Sequence, residues 1–170
     1  MRRTLVVAFA VLAAGCSAQN AGSVPSPAVG DASRVDMCTI LTDAELSGLG
    51  LKPASREQDN KLGEVGCVWA GLPFTLYLAR GRDTVAQYRG RRNDPVFTSF
   101  ADNTVNGRDG ARLSVESDRR DCTQLIDGGP VGLVVTVAQS GLYTGPPLDW
   151  CAQAMRVAQM IEPRLPKAGS

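Results

Sequence analysis

Five cysteines in 170 residues are the feature that most constrains how this chain can fold. An odd number leaves one cysteine over if the others pair as disulfides. Cys16 lies directly behind a short apolar run, whereas Cys38, Cys67, Cys122 and Cys151 are spread along the rest of the sequence. The first cysteine and the later four therefore need separate explanations.

Residues 1–15 have the pattern of a secretory signal. Arg2 and Arg3 form a basic start, and the apolar run over residues 5–14 is too short to span a bilayer, which takes roughly 20 residues. The stretch Ala13-Ala14-Gly15-Cys16 resembles the lipobox of bacterial lipoproteins, in which the signal is cut before the cysteine, its thiol carries diacylglycerol, and palmitate is commonly added. We predict a lipoprotein signal peptide over 1–15 and lipidation of Cys16; an ordinary signal before an unmodified cysteine is the alternative.

Residues 17–35 are rich in Ser, Ala, Gly and Pro and contain almost no large apolar side chains. Such a composition buries too little surface to offset the entropy of ordering the chain. We therefore predict a lipidated flexible tether over 16–35, with an average reach on the order of 25 Å. The domain that follows is expected to be exported and held at the outer face of the cell membrane.

The four later cysteines form an even set, which in an exported domain predicts two disulfides. Three pairings are possible, and we favour Cys38–Cys67 with Cys122–Cys151, because each joins a helix start to a strand start within one half of the chain. Each closes a loop of about 29 residues, worth roughly 3.5 kcal/mol by chain entropy. A zinc site is the rival interpretation, but no C-x-x-C pair and no histidine is present.

Helix signals lie at both ends of the predicted domain. Thr42 and Glu45 form a capping box before a short helix that Gly48 and Gly50 end. Asp149 caps a last helix with an apolar stripe formed by Trp150, Ala154, Val157 and Ile161. A third, short helix is expected after Asp83 as its cap.

Strand signals fill the middle of the sequence. The segments GCVWAG, FTLYLAR, ARLSVES, CTQLID and GLVVTVA are predicted strands, whereas 52–63 and 96–109 are predicted to be irregular. Strands flanked by helices predict an α+β fold, with an antiparallel sheet packed by the N-terminal and C-terminal helices on one face. We place this single domain at 36–166 and a frayed tail at 167–170.

The composition excludes several kinds of chemistry. The chain has no histidine, which removes Ser-His-Asp and Cys-His nucleophile systems and histidine-ligated metals. A formal net charge of +1 argues against a nucleic-acid partner. A carboxylate pair for glycoside hydrolysis is still available. However, Asp43, Asp83 and Asp149 fit helix starts. Five further aspartates fit turns: Asp94, Asp109, Asp118, Asp121 and Asp127. We predict no enzyme, no catalytic residue, no metal and no cofactor.

Five arginines form the largest charge asymmetry, and we call them the arginine cluster: Arg80, Arg82, Arg89, Arg91 and Arg92. One hypothesis is contact with anionic lipid headgroups or envelope glycans next to the anchor. The alternative is a solvated face, since lysine occurs at only three positions and arginine is the usual cation of this chain. Tyr143, in a Pro-Gly loop, is either a projecting contact residue or a packed loop aromatic.

Four segments together resemble a known family: CTILTDAELSGLGL, GCVW, CTQLIDGG with GLVVTV, and DWCAQAMRVAQMI. They are similar to the actinobacterial lipoproteins grouped as domain of unknown function 3558. The likeness covers Asp36 to about Leu165, with Met37 where proline is expected. It implies an exported, disulfide-bonded lipoprotein and carries no catalytic residues.

We therefore expect a membrane-anchored extracytoplasmic lipoprotein that works as a non-catalytic binding or sensing module, with an envelope lipid, glycan or protein as its partner. An accessory subunit of an envelope complex is the first alternative, and it predicts an exposed apolar patch. A carboxylate-dependent hydrolase is the second, and it predicts a buried pair of acids in a cleft.

Overall fold

The computed structural model describes residues 29–60, 63–115 and 120–167. The predicted signal peptide, Cys16 and the first part of the tether lie outside the described residues. Within the described ranges, no helix is long and apolar enough to cross a membrane.

A seven-stranded antiparallel sheet forms the centre of the domain, in the order β1-β2-β3-β7-β6-β5-β4. The strands are β1 Glu57–Asp59, β2 Val65–Trp69, β3 Phe74–Arg80, β4 Ser99–Val105, β5 Arg108–Ser114, β6 Asp121–Asp127 and β7 Gly132–Gln139. The central strands β3 and β7 are apolar and almost fully buried on one face. The predicted α+β class with an antiparallel sheet is confirmed.

Three helices pack on the sheet: α1 Asp43–Gly48, α2 Val85–Gly90 and α3 Trp150–Ile161. The predicted Thr42–Glu45 capping box is present at α1, and Asp149 caps α3. Single 3-10 turns follow α1 at Pro53–Ser55 and extend α3 at Glu162–Arg164.

The main core lies between α3, α1 and one face of the sheet. The predicted stripe on α3 is confirmed, since Trp150, Ala154, Val157 and Ile161 are all buried. They pack with sheet residues that include Trp69 in one hydrophobic cluster. Burial of this apolar face, rather than helix propensity, holds a twelve-residue helix in place.

The opposite face of the sheet is also covered, which corrects the expectation of helices on one face only. Val85 of α2 packs with Ala79, Ala111, Leu125 and Val134 in a second, smaller cluster. These small and branched residues alternate along the strands with the main-core residues. The alternation makes both faces of the central strands apolar.

Two expectations about irregular segments were wrong. The segment 96–109 contains β4 and a hairpin turn at Asn106 and Gly107, both at positive φ, and the segment 52–63 contains β1. Both strands are the outer strands of the sheet. An outer strand keeps polar residues because part of it faces solvent, so its sequence lacks the alternation of a half-buried strand.

The cap of α2 also differs from the expectation. Thr84, not Asp83, is the cap residue: its hydroxyl accepts the Gln87 N–H, and the Gln87 side chain accepts the Thr84 N–H. Asp83 instead forms an ion pair with Arg91 at 2.5 Å.

The favoured disulfide pairing is confirmed. Cys38–Cys67 joins the segment before α1 to β2, and Cys122–Cys151 joins β6 to the first turn of α3, with Cα–Cα distances of 5.2 and 5.0 Å.

The folded part begins earlier than the sequence predicts. Val29 forms a β-bridge with Lys167, and Ala32 is fully buried, its N–H donating to the Gly128 carbonyl at 3.0 Å. The last seven residues of the predicted tether and the first residue of the predicted tail are therefore attached to the domain. Backbone pairing and one small buried side chain achieve this without the large apolar residues on which the prediction relied.

A buried ion pair joins the sheet to the end of α3. Arg108 is 2% exposed, and its Nε donates to Glu162 Oε1 at 3.0 Å. Its other nitrogens donate to the carbonyls of Asp127 at 3.1 Å and Pro166 at 3.0 Å. One guanidinium thus holds together β5, the end of β6 and the C-terminal segment.

Replacing Arg108 with leucine is expected to lower the free energy of unfolding by about 3–5 kcal/mol, because it leaves Glu162 charged and buried without a partner. Urea unfolding followed by circular dichroism measures the change. The exposed Arg156, replaced in the same way, is the control and should change stability by less than about 0.5 kcal/mol. An Arg108→Leu/Glu162→Leu double variant should regain much of the loss; equal stability of the Arg108 and Arg156 variants would contradict the assignment.

Candidate functional site

A cleft of about 550 Å³ lies between the start of β4, the end of β5, the start of β6 and the start of α3. We call it the edge cleft. Its volume is within the range of sites that hold small ligands.

The pairing register of β4 and β5 determines which residues form the strand wall of the edge cleft. Ser99 pairs with Ser114, and Ala101 pairs with Arg112, so these four residues lie on the face of the sheet that α3 covers.

Asp121, at the start of β6, also borders the cleft. Its Oδ2 accepts the Val115 N–H at 3.3 Å, and its carbonyl accepts the Ser114 hydroxyl at 3.0 Å. Because Cys122 next to it packs in the main core, the Asp121 side chain alternates to the opposite face of the sheet.

The helix wall consists of Leu148 and the first residues of α3. Asp149 Oδ1 accepts the Ala152 N–H at 2.9 Å. Trp150 is 5% exposed and meets the Tyr143 ring edge-on, with centroids 6.2 Å apart. Tyr143 is therefore a packed loop aromatic, and its hydroxyl donates to the Pro146 carbonyl at 3.1 Å.

The Cys122–Cys151 disulfide fixes the distance between the two walls. Cys151 lines the edge cleft, and its partner lies next to Asp121 on β6. The first turn of α3 cannot move away from β6 without breaking a covalent bond. The cleft is therefore preformed.

The chemistry of the edge cleft is mixed. Its lining residues include the charged residues Arg112, Asp121 and Asp149 and the hydroxyl-bearing residues Thr98, Ser99 and Ser114. In the sequence, Asp121 fits a turn and Asp149 fits a helix cap, and no local pattern places the two near each other. Each of them accepts a main-chain N–H, which is a structural use of the carboxylate.

A second concavity of about 410 Å³ lies beside α2, and we call it the tyrosine pocket. Its central group is Glu64, which accepts hydrogen bonds from the Tyr77 hydroxyl at 2.8 Å and the Tyr88 hydroxyl at 3.2 Å. Burial, together with the Glu64 charge, raises the pKa of Tyr88 to about 12. Burial and the hydrogen bond to Glu64 raise the pKa of Tyr77.

Three members of the arginine cluster are bound to carboxylates. Arg89 contacts Asp102 at 2.6 Å and Asp109 at 3.0 Å, Arg92 also pairs with Asp102, and Arg91 pairs with Asp83. Arg91 and Arg92 additionally lie over the rings of Tyr88 and Phe100.

The remaining two members, Arg80 and Arg82, form no ion pair with another described residue, and Arg82 lines the tyrosine pocket. The cluster is thus largely balanced by nearby acids. This balance favours the solvated-face interpretation, and contact with an anionic surface stays a prediction.

The edge cleft lies at the end of the domain remote from the first described residues. Val29 and Ala32 join the domain at Lys167 and Gly128, beyond the ends of α3 and β6. The cleft lies at the starts of the same two elements. Twelve helical residues span about 18 Å, and seven strand residues span about 20 Å. These two lengths separate the cleft from the point where the N-terminal segment joins.

These features define a class of protein: a disulfide-bonded α+β domain with a seven-stranded antiparallel sheet and a preformed polar cleft. The chain matches the family described as "Protein of unknown function (DUF3558)" over residues 11–164 and belongs to that family. The match confirms the domain of unknown function 3558 that the sequence motifs suggested. Neither a curated protein nor a solved structure matches the chain.

The tyrosine pocket predicts a loss of stability in alkali. Unfolded tyrosine loses its proton near the ordinary pKa of 10.0, whereas folded Tyr88 keeps its proton up to about 12. Between these values the folded state binds more protons, so the free energy of unfolding falls as pH rises. Urea unfolding at pH 9, 10 and 11 measures the slope. A Tyr77→Phe/Tyr88→Phe variant should show a shallower fall; an unchanged slope would contradict the assignment.

Proposed function

We propose that this protein is a lipid-anchored lipoprotein of the cell envelope that binds a ligand in the edge cleft without catalysis. Two disulfides are typical of exported domains and support an extracytoplasmic location. The family match begins at residue 11 and so includes the lipobox-like residues and Cys16. With lipid on Cys16, the other four cysteines are all used in disulfides.

The preformed edge cleft carries the proposal. A covalent bond holds its two walls together, so little ordering entropy opposes binding. Its position is also suitable, since the anchor would enter from the opposite end of the domain. A tether attached at that opposite end leaves the mouth of the cleft accessible to molecules of the envelope.

A binding role accounts for the groups in the cleft better than catalysis. No histidine occurs anywhere in the chain. Asp121 and Asp149 each accept a main-chain N–H, so both carboxylates have a structural use. A glycoside hydrolase instead needs two carboxyl groups that face each other across a bound sugar.

A second candidate function, an accessory subunit of an envelope complex, is favoured by two exposed leucines. Leu142 is 83% exposed and Leu72 is 52% exposed. Their loops are joined where the Ser140 N–H donates to the Pro73 carbonyl at 3.0 Å. These apolar side chains lie at the same end of the domain as the cleft and would suit a protein partner.

The anchor is tested by mass spectrometry of the native protein. We expect the mature chain to begin at Cys16 and to carry a diacylglycerol thioether with an additional acyl chain. A Cys16→Ala variant is the control and should be released from the membrane fraction, because a single residue supplies the anchor. An unmodified Cys16, or cleavage elsewhere, would refute the anchored state.

Binding in the cleft is tested by photo-crosslinking of the full-length protein in cells. A photoreactive amino acid at Ser99 lies in the edge cleft, and one at Thr104 lies on the same strand, exposed, on the opposite face. We expect adducts from position 99 that position 104 does not give, identified by mass spectrometry of proteins, lipids and glycans. Identical adducts from both positions, or none from 99, would refute the binding role. Protein adducts from a probe at Leu142 alone would favour the second candidate.

A further inference from the structure

We infer that the outer edge of β4, together with the edge cleft, binds an extended segment of another envelope protein as an additional strand of the sheet. The segment is expected to place an acidic side chain against Arg112. This inference rests on the proposed binding function and names the kind of partner. It is carried by the unpaired edge of β4, the groove between β4 and α3, and the position of Arg112 in that groove.

The outer edge of β4 is unpaired among the described residues. Within the described ranges, the main-chain groups of Ser99–Val105 form hydrogen bonds only in the ladder with β5. In an outer strand, alternate residues direct their N–H and C=O groups away from the sheet, where another chain can pair with them. The strand β4 therefore offers donors and acceptors along its whole length.

The edge of β4 also lacks the features that usually prevent such pairing, namely a short strand, a bulge, proline or lysine. It has seven residues, contains neither proline nor lysine, and pairs with β5 at every position from Ser99 to Val105. Its one charged residue, Asp102, is held in ion pairs by Arg89 and Arg92. The other outer strand, β1, has only three residues, so β4 is the edge suited to a further strand.

The edge cleft lies directly beside the start of β4, between this strand and the start of α3. Side chains alternate along a strand, so every second side chain of an added strand would enter the cleft. In strand addition, main-chain hydrogen bonds supply affinity, and pockets for alternate side chains supply specificity. The edge of β4 provides the first, and the cleft provides the second.

Arg112 determines the charge expected of the partner. It lies on β5 directly opposite Ala101, so only a methyl group stands between it and an added strand. Its side chain is exposed and forms no hydrogen bond or ion pair with another described residue. Two strand spacings, about 10 Å, separate Arg112 from the added residue opposite Ala101. A carboxylate at that residue meets the guanidinium above Ala101 and accepts its N–H groups.

The helix wall adds an apolar requirement. Leu148 and Trp150 line the cleft on this side. Asp149 lies between them at the start of α3, where its Oδ1 accepts the Ala152 N–H at 2.9 Å and the helix dipole favours its charge. The added strand is therefore expected to carry an apolar side chain two residues from its acidic one, since residues two apart share a face.

A second copy of this chain does not supply the acidic residue. Antiparallel pairing of β4 with its own copy about a two-fold axis brings together residues of the same face. The cleft face of β4 carries Ser99, Ala101, Asn103 and Val105, none of which is acidic. Pairing centred on the strand would also place Asp102 opposite its own copy, and like charges there are destabilising. The partner is therefore a different protein.

The test uses the full-length lipoprotein in detergent micelles and a random library of ten-residue peptides displayed on phage. We expect the enriched peptides to share an aspartate or glutamate two positions from an apolar residue. Selection on an Arg112→Glu variant should replace that acid with lysine or arginine, because the charge of the groove is reversed. Arg156→Glu, at an exposed position of α3, is the matched control and should enrich the same peptides as the unchanged protein.

Hydrogen–deuterium exchange tests strand addition itself. An enriched peptide at saturating concentration is expected to slow exchange of the outward-facing amides in 99–105 by at least about tenfold, because they become hydrogen-bonded. The amides of β1 should be unchanged. Ala101→Trp blocks the approach to Arg112 and should weaken peptide binding about tenfold or more. Ala86→Trp, at an exposed position of α2, is the matched control and should leave it unchanged.

The inference is overturned if no peptide is enriched, if the enriched peptides lack the shared acid, or if Arg112→Glu selects the same peptides as the unchanged protein. A peptide that binds without slowing exchange in β4 would also overturn it. Crosslinking from position 99 in cells separates this inference from the proposed function. A lipid or glycan adduct there leaves the binding function standing and makes only the kind of partner wrong, whereas the absence of any adduct refutes both.

Discussion

The Cys122–Cys151 disulfide is the contact on which the rest of the structure depends. It ties the first turn of α3 to β6, and the apolar stripe of α3 then covers the main core along one face of the sheet. At the other end of the same helix, the buried Arg108–Glu162 pair joins it to β5. A helix fixed at both ends can close the core and also hold one wall of a cleft at a constant distance.

This arrangement separates two ends of the domain. At one end, Val29 and Ala32 bring the N-terminal segment against Lys167 and the β6–β7 turn. At the other, the outer strand β4 and the start of α3 enclose the edge cleft. An anchor at the first end and a binding site at the second are compatible with each other, and this separation makes the proposed function coherent.

Charged residues serve mainly to organise the fold. Arg89 and Arg92 hold α2 to β4 through Asp102, and Glu64 holds two tyrosine hydroxyls beside α2. Exposed pairs of this kind add little stability individually. They do orient α2 over the second face of the sheet, so an arginine-rich segment can be structural without being a docking surface.

The sequence by itself determined the features that depend on neighbouring residues. Helix caps at Thr42 and Asp149, the apolar segments of β3 and β7, and the even set of four cysteines are local patterns, and these predicted the fold class and favoured the observed disulfides. Only the tertiary structure decided the covering of the second face, the strands at the edges of the sheet, and the meeting of Arg112, Asp121 and Asp149 in one cleft. Residues that lie far apart along the chain meet there only through strand register and helix packing, which no local periodicity encodes.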